Sequence, residues 1–312
     1  MEMEMEQIDI LLATFNGAPY IDQLLDSISS QTYANWRLLI RDDCSTDDTI
    51  CKVLSFAERH NDKVSVIDNN NLRLGVIGNF AALLSESSAE YIMFADQDDI
   101  WLPQKIEITL SKARMLEEGA DVPLLVHTDL CVVDRNLHTI AESFWEYQGL
   151  NPGRGANLKD AMVQNVVTGC TMLINKKLAK LSMPIPENAK MHDWWITMAA
   201  AAFGKVHYIP QATILYRQHG GNDTGAKRWN FYNALRYILL GKKLHQNVLN
   251  TEMQALAFLK QYHFILSKPQ MDILKKFGLL NESNFFVRRV ISSRLGLRKH
   301  KLLRTIGFYL FM

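Results

Sequence analysis

The first hundred residues alternate short apolar runs with segments of helical spacing, and this alternation constrains the fold more than any other feature of the sequence. The period is roughly 25–30 residues. Strands are predicted at 8–16, 36–43, 63–69 and 91–96, and helices between them at 20–31, 46–60 and 75–87. A β-α-β-α-β-α-β order predicts a mostly parallel sheet with helices on both faces, which is an α/β fold.

The rest of the chain keeps both kinds of element but loses the regular period. Helices are predicted at 103–119 and 192–204, a long strand or strand pair at 123–134, a strand and a short helix within 166–181, and two short strands with a polar loop at 205–222. Helical periodicity dominates from about Trp229 onward. The 312 residues suit one large domain or two unequal ones.

Two of the predicted strands end on clustered carboxylates. Asp42 and Asp43 close the second strand, and Asp96, Asp98 and Asp99 close the fourth. In a parallel sheet these ends meet at one edge, where ligands bind. Carboxylates packed together repel one another, and Mg²⁺ or Mn²⁺ would relieve this repulsion while bridging to substrate phosphates. Asp-x-Asp pairs are common on surfaces, so it is the position after a buried strand that favours a metal site.

Four segments around these strand ends carry a resemblance to a known family. "LLATFNG", "RDDCSTDDT", "NNNLRLGVIGNF" and "YIMFADQDDIWLPQK" resemble the successive nucleotide-sugar motifs of family 2 glycosyltransferases with the GT-A fold. With "TGCT" and "YRQHGGN", the chain is most similar to the bacterial rhamnosyltransferase branch, which builds surface polysaccharides. The resemblance covers roughly residues 7–222. It implies a GT-A catalytic domain over 1–222, with a nucleotide-sugar half (1–100) and an acceptor half (101–222), followed by a basic helical region (223–312).

The resemblance also implies which residues bind the nucleotide-sugar donor. Asp43 matches the carboxylate that accepts the N3–H of uracil or thymine, and Asp42 is its more structural neighbour. The other matched positions are Thr14 and Asn16 in the first loop, Gly75 and Asn79 beside the base and ribose, and Asp96 near the ribose.

The metal site implied by the resemblance consists of Asp98 as the direct ligand and His219 as a late ligand that completes it. Neutral imidazole and carboxylate suit Mn²⁺, and carboxylates suit Mg²⁺. The alternative for His219 is a histidine on a surface loop. Asp99 is a regular companion in this branch, with an outer-shell role as one interpretation.

Asp193, in "MHDWW", matches the general base that takes the acceptor proton in an inverting displacement. A helix N-terminus stabilises its anion, and Trp194 and Trp195 would partly desolvate it. The alternative is an N-cap without catalytic function. The family usually has Glu-Asp here, so His192 departs from the pattern and receives no role. Trp101 and the two adjacent tryptophans either stack on sugars or belong to the core.

Charge is divided unequally along the chain. Residues 1–223 contain 18 Lys+Arg and 30 Asp+Glu, whereas residues 224–312 contain 16 and 3. The segment 284–312 has seven basic and no acidic residues among many large apolar ones. This pattern predicts docking on an anionic membrane surface, in keeping with a glycan or lipid-linked oligosaccharide acceptor. A dimer interface is the alternative. No nucleic-acid-binding motif is visible, so we expect no nucleic-acid partner.

The N-terminal sequence "MEMEMEQIDILLATFNG" lacks the features of a signal peptide, and four scattered cysteines suggest reduced thiols. A cytoplasmic location is therefore expected. The basic segment 284–312 also predicts peripheral attachment to the inner face of the membrane.

Three other functions fit part of the pattern. A UDP-hexose would keep the enzyme class and change the donor. A non-catalytic nucleotide-sugar-binding subunit would not require Asp43, Asp98 and Asp193 together. A nucleotidyltransferase would require a basic residue in the first loop, which here reads "TFNGAPYIDQ". The donor base, the acceptor, the linkage and the oligomeric state are not encoded in a readable motif.

Overall fold

The first half of the fold is the parallel β-α unit that the sequence predicts. The structure is a computed structural model that describes residues 6–117, 121–220, 225, 226, 228 and 241–312. Its first elements are β1 (Ile8–Thr14), α1 (Ile21–Ser29), β2 (Trp36–Asp42), α2 (Thr49–Arg59), β3 (Val64–Val66), α3 (Gly75–Glu86) and β4 (Tyr91–Asp96). These strands pair in parallel in the order β3-β2-β1-β4.

The second half extends the same sheet with mixed strand directions. Its elements are β5 (Ile100–Trp101), α4 (Lys105–Glu117), β6 (Leu124–Val133), β7 (Thr139–Ala141), α5 (Phe144–Gln148), α6 (Leu158–Val163), β8 (Met172–Asn175), α7 (Lys176–Ser182), α8 (His192–Phe203) and β9 (Lys205–Arg217). β8 pairs antiparallel with both β4 and β6, and β6 pairs in parallel with β9. The α/β fold class is therefore confirmed, and the antiparallel pairings are an addition that the sequence pattern does not predict.

The prediction of two short strands within 205–222 is wrong. The segment is the single long strand β9, and its pairing with β6 shifts register between Thr128 and Asp129. Pro210 lies on the opposite strand at this shift, and it has no N–H to donate to the ladder. A bulge therefore interrupts the pairing without ending the strand. Gly221 and Asn222, at the end of the quoted motif, lie outside the described residues.

Helices cover both faces of the sheet, as the sequence predicts. The β1 side chains Ile8, Ile10 and Leu12 point to one face and pack in a core with α1, α2 and α4. Leu11 points to the opposite face and packs with α3, α6 and α8. All four side chains are fully buried. This period-2 alternation between two apolar cores is the reason that the strand reads as a continuous apolar run.

The described part of the C-terminal region is helical. It consists of α9 (Gly241–Tyr262), α10 (Lys268–Gly278), α11 (Phe285–Arg294) and α12 (Leu302–Phe311). Phe258 of α9 packs against Trp195 of α8, with ring centroids 5.2 Å apart, and Phe308 joins the same core. The region thus shares a core with α6 and α8. The boundary predicted at 222/223 and the start of the predicted helical region at Trp229 lie outside the described residues. No described helix has both the length and the apolar character needed to cross a membrane.

Candidate active site

A cleft of about 1310 Å³ opens at the carboxyl ends of β1, β2 and β4. β1 lies between β2 and β4, so the connections that follow the strands depart to opposite sides. This is a topological switch point, where open α/β sheets bind ligands. The cleft exceeds the roughly 300–1,000 Å³ that is typical of a small-molecule site. The predicted site residues that line it are Thr14, Asp43, Gly75, Asn79, Asp96, Asp98 and Asp193.

The carboxylate of Asp43 organises one end of the cleft. Its Oδ1 accepts a hydrogen bond from the N–H of Leu74 at 2.7 Å, and its Oδ2 accepts from the N–H of Gly75 at 2.9 Å. Gly75 has φ +67°, which favours glycine. Asp43 therefore ties the end of β2 to the start of α3. Oδ1 also accepts from Nη1 of Arg41 at 3.4 Å, whereas Oδ2 keeps a lone pair that could accept from a ligand.

Arg41 is a functional neighbour of Asp43 that the sequence analysis missed. Its Nη1 donates to Oδ1 of Asn79 at 2.8 Å, and its carbonyl accepts from Nδ2 of Asn79 at 3.0 Å. Its Nη2 also donates to the carbonyl of Leu72 at 2.9 Å. The buried guanidinium thus fixes both Asn79 and the loop after β3. The signal in the sequence is a basic residue in the buried strand β2, directly before Asp42 and Asp43.

The two residues predicted in the first loop have different surroundings. The hydroxyl of Thr14 donates to Oδ2 of Asp42 at 2.7 Å, and Thr14 lines the cleft. Asn16, with φ +48°, turns its side chain toward the loop after β2, where Oδ1 accepts from the N–H of Thr46 at 2.8 Å. Asn16 therefore shapes the turn.

Gln97, the middle residue of the Asp-x-Asp motif, clamps the first loop. Its Nε2 donates to the carbonyl of Phe15 at 2.8 Å, and its Oε1 accepts from the N–H of Phe15 at 2.9 Å. Gly17 permits this approach, because a Cβ there would lie 2.3 Å from Oε1. Arg73 lies on the other side, with its guanidinium carbon 4.0 Å from the Phe15 ring centroid, and it also lines the cleft.

The structure brings together the two residues predicted as metal ligands. Nε2 of His219 lies 2.7 Å from Oδ2 of Asp98. The Tyr20 ring stacks on the imidazole with centroids 4.6 Å apart. Asp96 and Asp98 both line the cleft. Two carboxylates with an adjacent imidazole form a donor set that suits Mn²⁺ or Mg²⁺ with further ligands from a diphosphate.

Asp99 belongs to a buried cluster behind this pair. Ligand atoms of Asp96, Asp99 and Cys170 lie within 4.8 Å of one another. Burial and the neighbouring Asp98 and Asp96 raise the pKa of Asp99 well above its usual range. Burial likewise raises the pKa of the Cys170 thiol, so it stays protonated. A buried thiol is a poor ligand for a hard cation. The oxygen and imidazole donors of Asp96, Asp98 and His219 therefore suit a divalent cation such as Mn²⁺ or Mg²⁺ better than the cluster that includes Cys170 does.

Arg217 fixes the backbone of the acidic motif from β9. Its backbone N–H donates to Oδ1 of Asp99 at 3.3 Å, and its side-chain Nε donates to the carbonyl of Asp98 at 3.0 Å. Its guanidinium carbon lies 5.0 Å from the ring centroid of Tyr20. Arg217 belongs to the segment "YRQHGGN", but the family resemblance assigned no role to it. Its position two residues before His219 was the available signal.

Asp193 lies in the first turn of α8, one residue after the start of the helix. Its Oδ2 accepts from the N–H of Gly169 at 3.0 Å, and its Oδ1 accepts from Nδ2 of Asn165 at 3.2 Å. The N-cap of α8 is Met191. Burial raises the pKa of Asp193 to about 7. A carboxyl with a pKa near neutrality at a substrate cleft is suited to general base catalysis.

His192, which had no assigned role, is a core residue. Its imidazole packs 4.0 Å from the ring centroid of Phe80 and 5.5 Å from that of Phe94. Burial lowers its pKa to about 3, so the ring is neutral. A Cβ on Gly169 would lie 2.9 Å from its Nε2. His192 therefore holds the start of α8, and with it Asp193, against the sheet.

Of the three tryptophans considered for stacking on sugars, two lie in the core and one lines the cleft. Trp101 is 2% exposed and Trp195 is fully buried, so both are core residues. Trp194 lines the cleft and donates from Nε1 to the carbonyl of Ala161 at 2.6 Å. Of the three, only Trp194 is placed to contact a ligand.

The fold, with a cleft at the carboxyl ends of its parallel strands and paired carboxylates at the end of β4, is the GT-A fold. Two solved structures share the fold. TarS 1–349 of S. aureus, in complex with UDP-GlcNAc, has a TM-score of 0.54 and 17% identity, covering 98% of this chain and 90% of that chain. The mannosyltransferase PcManGT from Pyrobaculum calidifontis, in complex with GDP-Man and Mn²⁺, has a TM-score of 0.54 and 16% identity, covering 99% and 85%.

The model of the family described as glycosyl transferase family 2 matches residues 9–181, and the chain belongs to this family. The dTDP-rhamnosyl transferase RfbG of Shigella flexneri is 28% identical over 250 residues, which are 74% of this chain and 78% of that protein. The UDP-Glc:alpha-D-GlcNAc-diphosphoundecaprenol beta-1,3-glucosyltransferase WfgD of Escherichia coli is 35% identical over 104 residues, which are 33% and 40%. The family and the enzyme class predicted from the sequence are thus confirmed.

Proposed function

We propose that the protein transfers a sugar, with inversion, from a nucleotide diphosphate sugar to a glycan or lipid-linked acceptor in the synthesis of a bacterial surface polysaccharide. The observation that carries the proposal is that Asp43, Asp98 and Asp193 line one cleft, with His219 beside Asp98. L-Rhamnose from dTDP-L-rhamnose is the proposed donor, because the similarity to RfbG extends over 74% of the chain.

Each predicted site residue has a proposed place in this reaction. Asp43, with Gly75, Asn79 and Thr14, forms the nucleoside end of the cleft, and Asn16 supports the first loop. Asp96 is assigned to the ribose of the donor. Asp98 and His219 would hold a divalent Mn²⁺ or Mg²⁺, which neutralises charge on the leaving diphosphate when bound.

Asp193 is the proposed general base. Its carboxylate takes the proton from the acceptor hydroxyl as that oxygen bonds to the anomeric carbon and the bond from this carbon to the diphosphate oxygen breaks. Because its pKa is about 7, it is partly deprotonated at neutral pH and more basic than an exposed carboxylate. The hydrogen bonds from Gly169 and Asn165 fix the orientation of the carboxylate.

Calorimetric titration with four donors tests the proposal. We would titrate dTDP-rhamnose, UDP-glucose, UDP-galactose and UDP-N-acetylglucosamine in Mn²⁺ and in EDTA, with wild type and Asp98→Ala. Metal-dependent binding of dTDP-rhamnose that the variant loses is the expected result. Preference for a UDP-sugar, as the similarity to WfgD would suggest, changes the donor and keeps the enzyme class. If wild type binds none of the four, the proposed function is wrong.

We also propose that α11 and α12 dock on an anionic membrane surface. Phe286 and Leu302 are 77% and 75% exposed, and Phe285 and Leu310 are also exposed. Nη2 of Arg289 donates to the carbonyl of Leu310 at 2.8 Å, so the two helices are joined. Exposed aromatic and aliphatic side chains among arginines and lysines are typical of helices that lie in a membrane interface.

A further inference from the structure

Basic side chains line part of the cleft beyond Asp193. Lys190 precedes α8, Lys299 lies between α11 and α12, and Arg304 lies in α12, and all three are lining residues. Among the described residues, neither Lys190 nor Lys299 forms a salt bridge with an acidic side chain. The cleft thus contains two lysines whose positive charge is not neutralised by an acidic side chain in the part of the chain that the structure describes.

The lysines are held in place by neutral groups. Nζ of Lys190 donates to Oγ1 of Thr251 at 3.0 Å and lies 4.5 Å from the ring centroid of Trp194. Nζ of Lys299 lies 5.6 Å from the ring centroid of Phe308. Burial, together with the neighbouring Lys299, lowers the pKa of Lys190 to about 7. Burial, together with Arg304, lowers that of Lys299 to about 8. Mutually repelling cations that are partly desolvated bind an anion favourably.

The loop that carries Lys299 is fixed to the acceptor half of the chain. Nδ1 of His300 accepts from the N–H of Asn151 at 2.9 Å, and the N–H of His300 donates to Gln164 at 2.9 Å. Nη2 of Arg154 donates to the carbonyl of Arg298 at 3.0 Å. These anchors all belong to the segment around α6. The nucleoside end, at β2 and α3, is built from other elements, which places the cations on the acceptor side.

We propose that Lys190, Lys299 and Arg304 form an anion site that binds a phosphoryl group of the acceptor and so places the acceptor hydroxyl near Asp193. The inference rests on the proposed function, because that function assigns the acceptor to this side. Three cations suit a group that carries more than one negative charge, and an arginine adds geometric fit to phosphate oxygens. The volume of about 1310 Å³ leaves room for a second substrate beside the donor.

The surroundings of the site favour a lipid-linked diphosphate as the source of this phosphoryl group. Arg304 and Phe308 of α12 line the cleft, whereas Leu302, Ile306 and Leu310 of the same helix are exposed and apolar. One helix therefore carries both the cationic lining and an apolar outer face. A lipid diphosphate has both matching parts, an anionic group and an apolar chain.

The test uses farnesyl diphosphate as the probe in calorimetric titrations with EDTA present, on the full chain. The variants are Lys299→Gln, which removes the charge, and Lys299→Arg, which keeps it. Lys301→Gln is the matched control, since Lys301 is exposed on the same loop and does not line the cleft. We expect Lys299→Gln to weaken binding about tenfold or more, and the other two variants to bind as wild type does. Titration of dTDP with Mn²⁺ should give the same affinity in all four proteins.

Additional probes assign the group that is bound. Farnesol that binds as tightly as farnesyl diphosphate would overturn the proposal, because recognition would then be apolar. Inorganic pyrophosphate that binds equally well, with the same dependence on Lys299, would support the anion site and make the lipid chain dispensable. Equal affinity of wild type and Lys299→Gln for every phosphate probe, or no binding of any, would overturn the site. If Lys299→Gln loses dTDP binding, the basic residues bind the donor nucleotide instead of the acceptor. That result would also overturn the proposed anion site.

The titrations distinguish a failure of the proposed function from a failure of the anion site. If wild type does not bind any nucleotide, the proposed function fails, while the charge dependence of farnesyl diphosphate binding is still measurable. If nucleotide binding is normal and the phosphate probes do not depend on Lys299, only the anion site fails. Thermal unfolding of each variant identifies a loss of binding that comes from misfolding.

Discussion

The carboxylate of Asp98 and the imidazole of His219 lie 2.7 Å apart, although 121 positions separate them in the chain. Asp98 follows the central strand β4, and His219 follows β9 toward the other side of the sheet. Arg217 contributes to this approach by donating a hydrogen bond to the carbonyl of Asp98. The proposed metal site therefore depends on how the end of β9 is held against the acidic motif.

Replacing His219 by alanine should weaken Mn²⁺ binding by at least about tenfold, because one nitrogen donor is lost while the carboxylates remain. Titration of Mn²⁺ followed by electron paramagnetic resonance, with dTDP present, measures this affinity. His138→Ala is the matched control, since His138 forms an exposed pair with Asp134 at 3.1 Å on the surface. Mn²⁺ affinity in His219→Ala equal to that of the control would remove His219 from the metal site.

Replacing Asp193 by asparagine should lower kcat by about 10²–10⁴-fold and leave the dissociation constant of the donor unchanged, because the proposed base acts on the acceptor proton. In wild type, kcat should rise with pH through about 7, as the carboxylate becomes deprotonated. Steady-state kinetics between pH 5.5 and 9 and donor titration measure both. A variant that keeps wild-type kcat would exclude Asp193 as the base.

The same substitution should change stability in a pH-dependent way. The pKa of Asp193 is raised from 3.8 to about 7, so the folded state favours the protonated carboxyl. This contribution to stability is present below pH about 4 and is lost as pH rises to about 7. Asp193→Asn should therefore unfold at a higher temperature than wild type at pH 8, with a smaller difference at pH 4. The opposite order at pH 8 would contradict the burial argument.

Replacing Gly17 by alanine should destabilise the first loop and weaken donor binding, because the new Cβ would meet Oε1 of Gln97 at 2.3 Å. Gln97→Ala removes this obstacle together with the clamp on Phe15. A double-mutant cycle should therefore give a coupling of about 1 kcal/mol in the free energy of unfolding. Denaturant unfolding of the two single variants and the double variant measures it. Strict additivity would show that Gly17 is not needed for the clamp.

Replacing Asp43 by alanine should lower the free energy of unfolding by about 2–3 kcal/mol, because the backbone N–H groups of Leu74 and Gly75 lose a buried charged acceptor. Nucleotide binding should be lost as well. Asp134→Ala is the control: Asp134 also accepts from two backbone N–H groups, of Asn136 and His138, but its side chain is 39% exposed, against 6% for Asp43. Urea unfolding should show a clearly smaller loss for the control.

Replacing Phe286 and Leu302 together by serine should reduce binding to vesicles that contain anionic lipid, because the double variant removes two exposed apolar side chains from the proposed membrane face. Co-sedimentation with phosphatidylglycerol vesicles measures it. Phe264→Ser is the control, since Phe264 is 89% exposed and lies outside α11 and α12. If vesicle binding is unchanged and the double variant instead alters the sedimentation coefficient, the face is a dimer interface.

Much of the secondary structure of residues 1–100 could be predicted, because the signals for it lie within short stretches of sequence. The strands β1, β2 and β4 are mostly apolar and end on polar residues, and apolar residues recur at helical spacing between them. A parallel arrangement then places Asp43 and Asp98 at one edge without further information. By contrast, α5 and α6 have five and six residues, which is too short for periodicity to be recognised.

The sequence by itself determined the α/β class, the chain positions of the acidic motifs and the charge asymmetry, since periodicity, strand ends and composition are properties of neighbouring residues. Only the tertiary structure decided that His192 is buried against Phe80 and Phe94, and that Lys299 lines the same cleft as Asp193. These arrangements arise from apolar packing between distant segments, such as Phe258 on Trp195, and such packing is non-directional. The excess of basic residues in 224–312 therefore predicts an anionic partner, whereas the packing of the core determines which of these residues line the cleft.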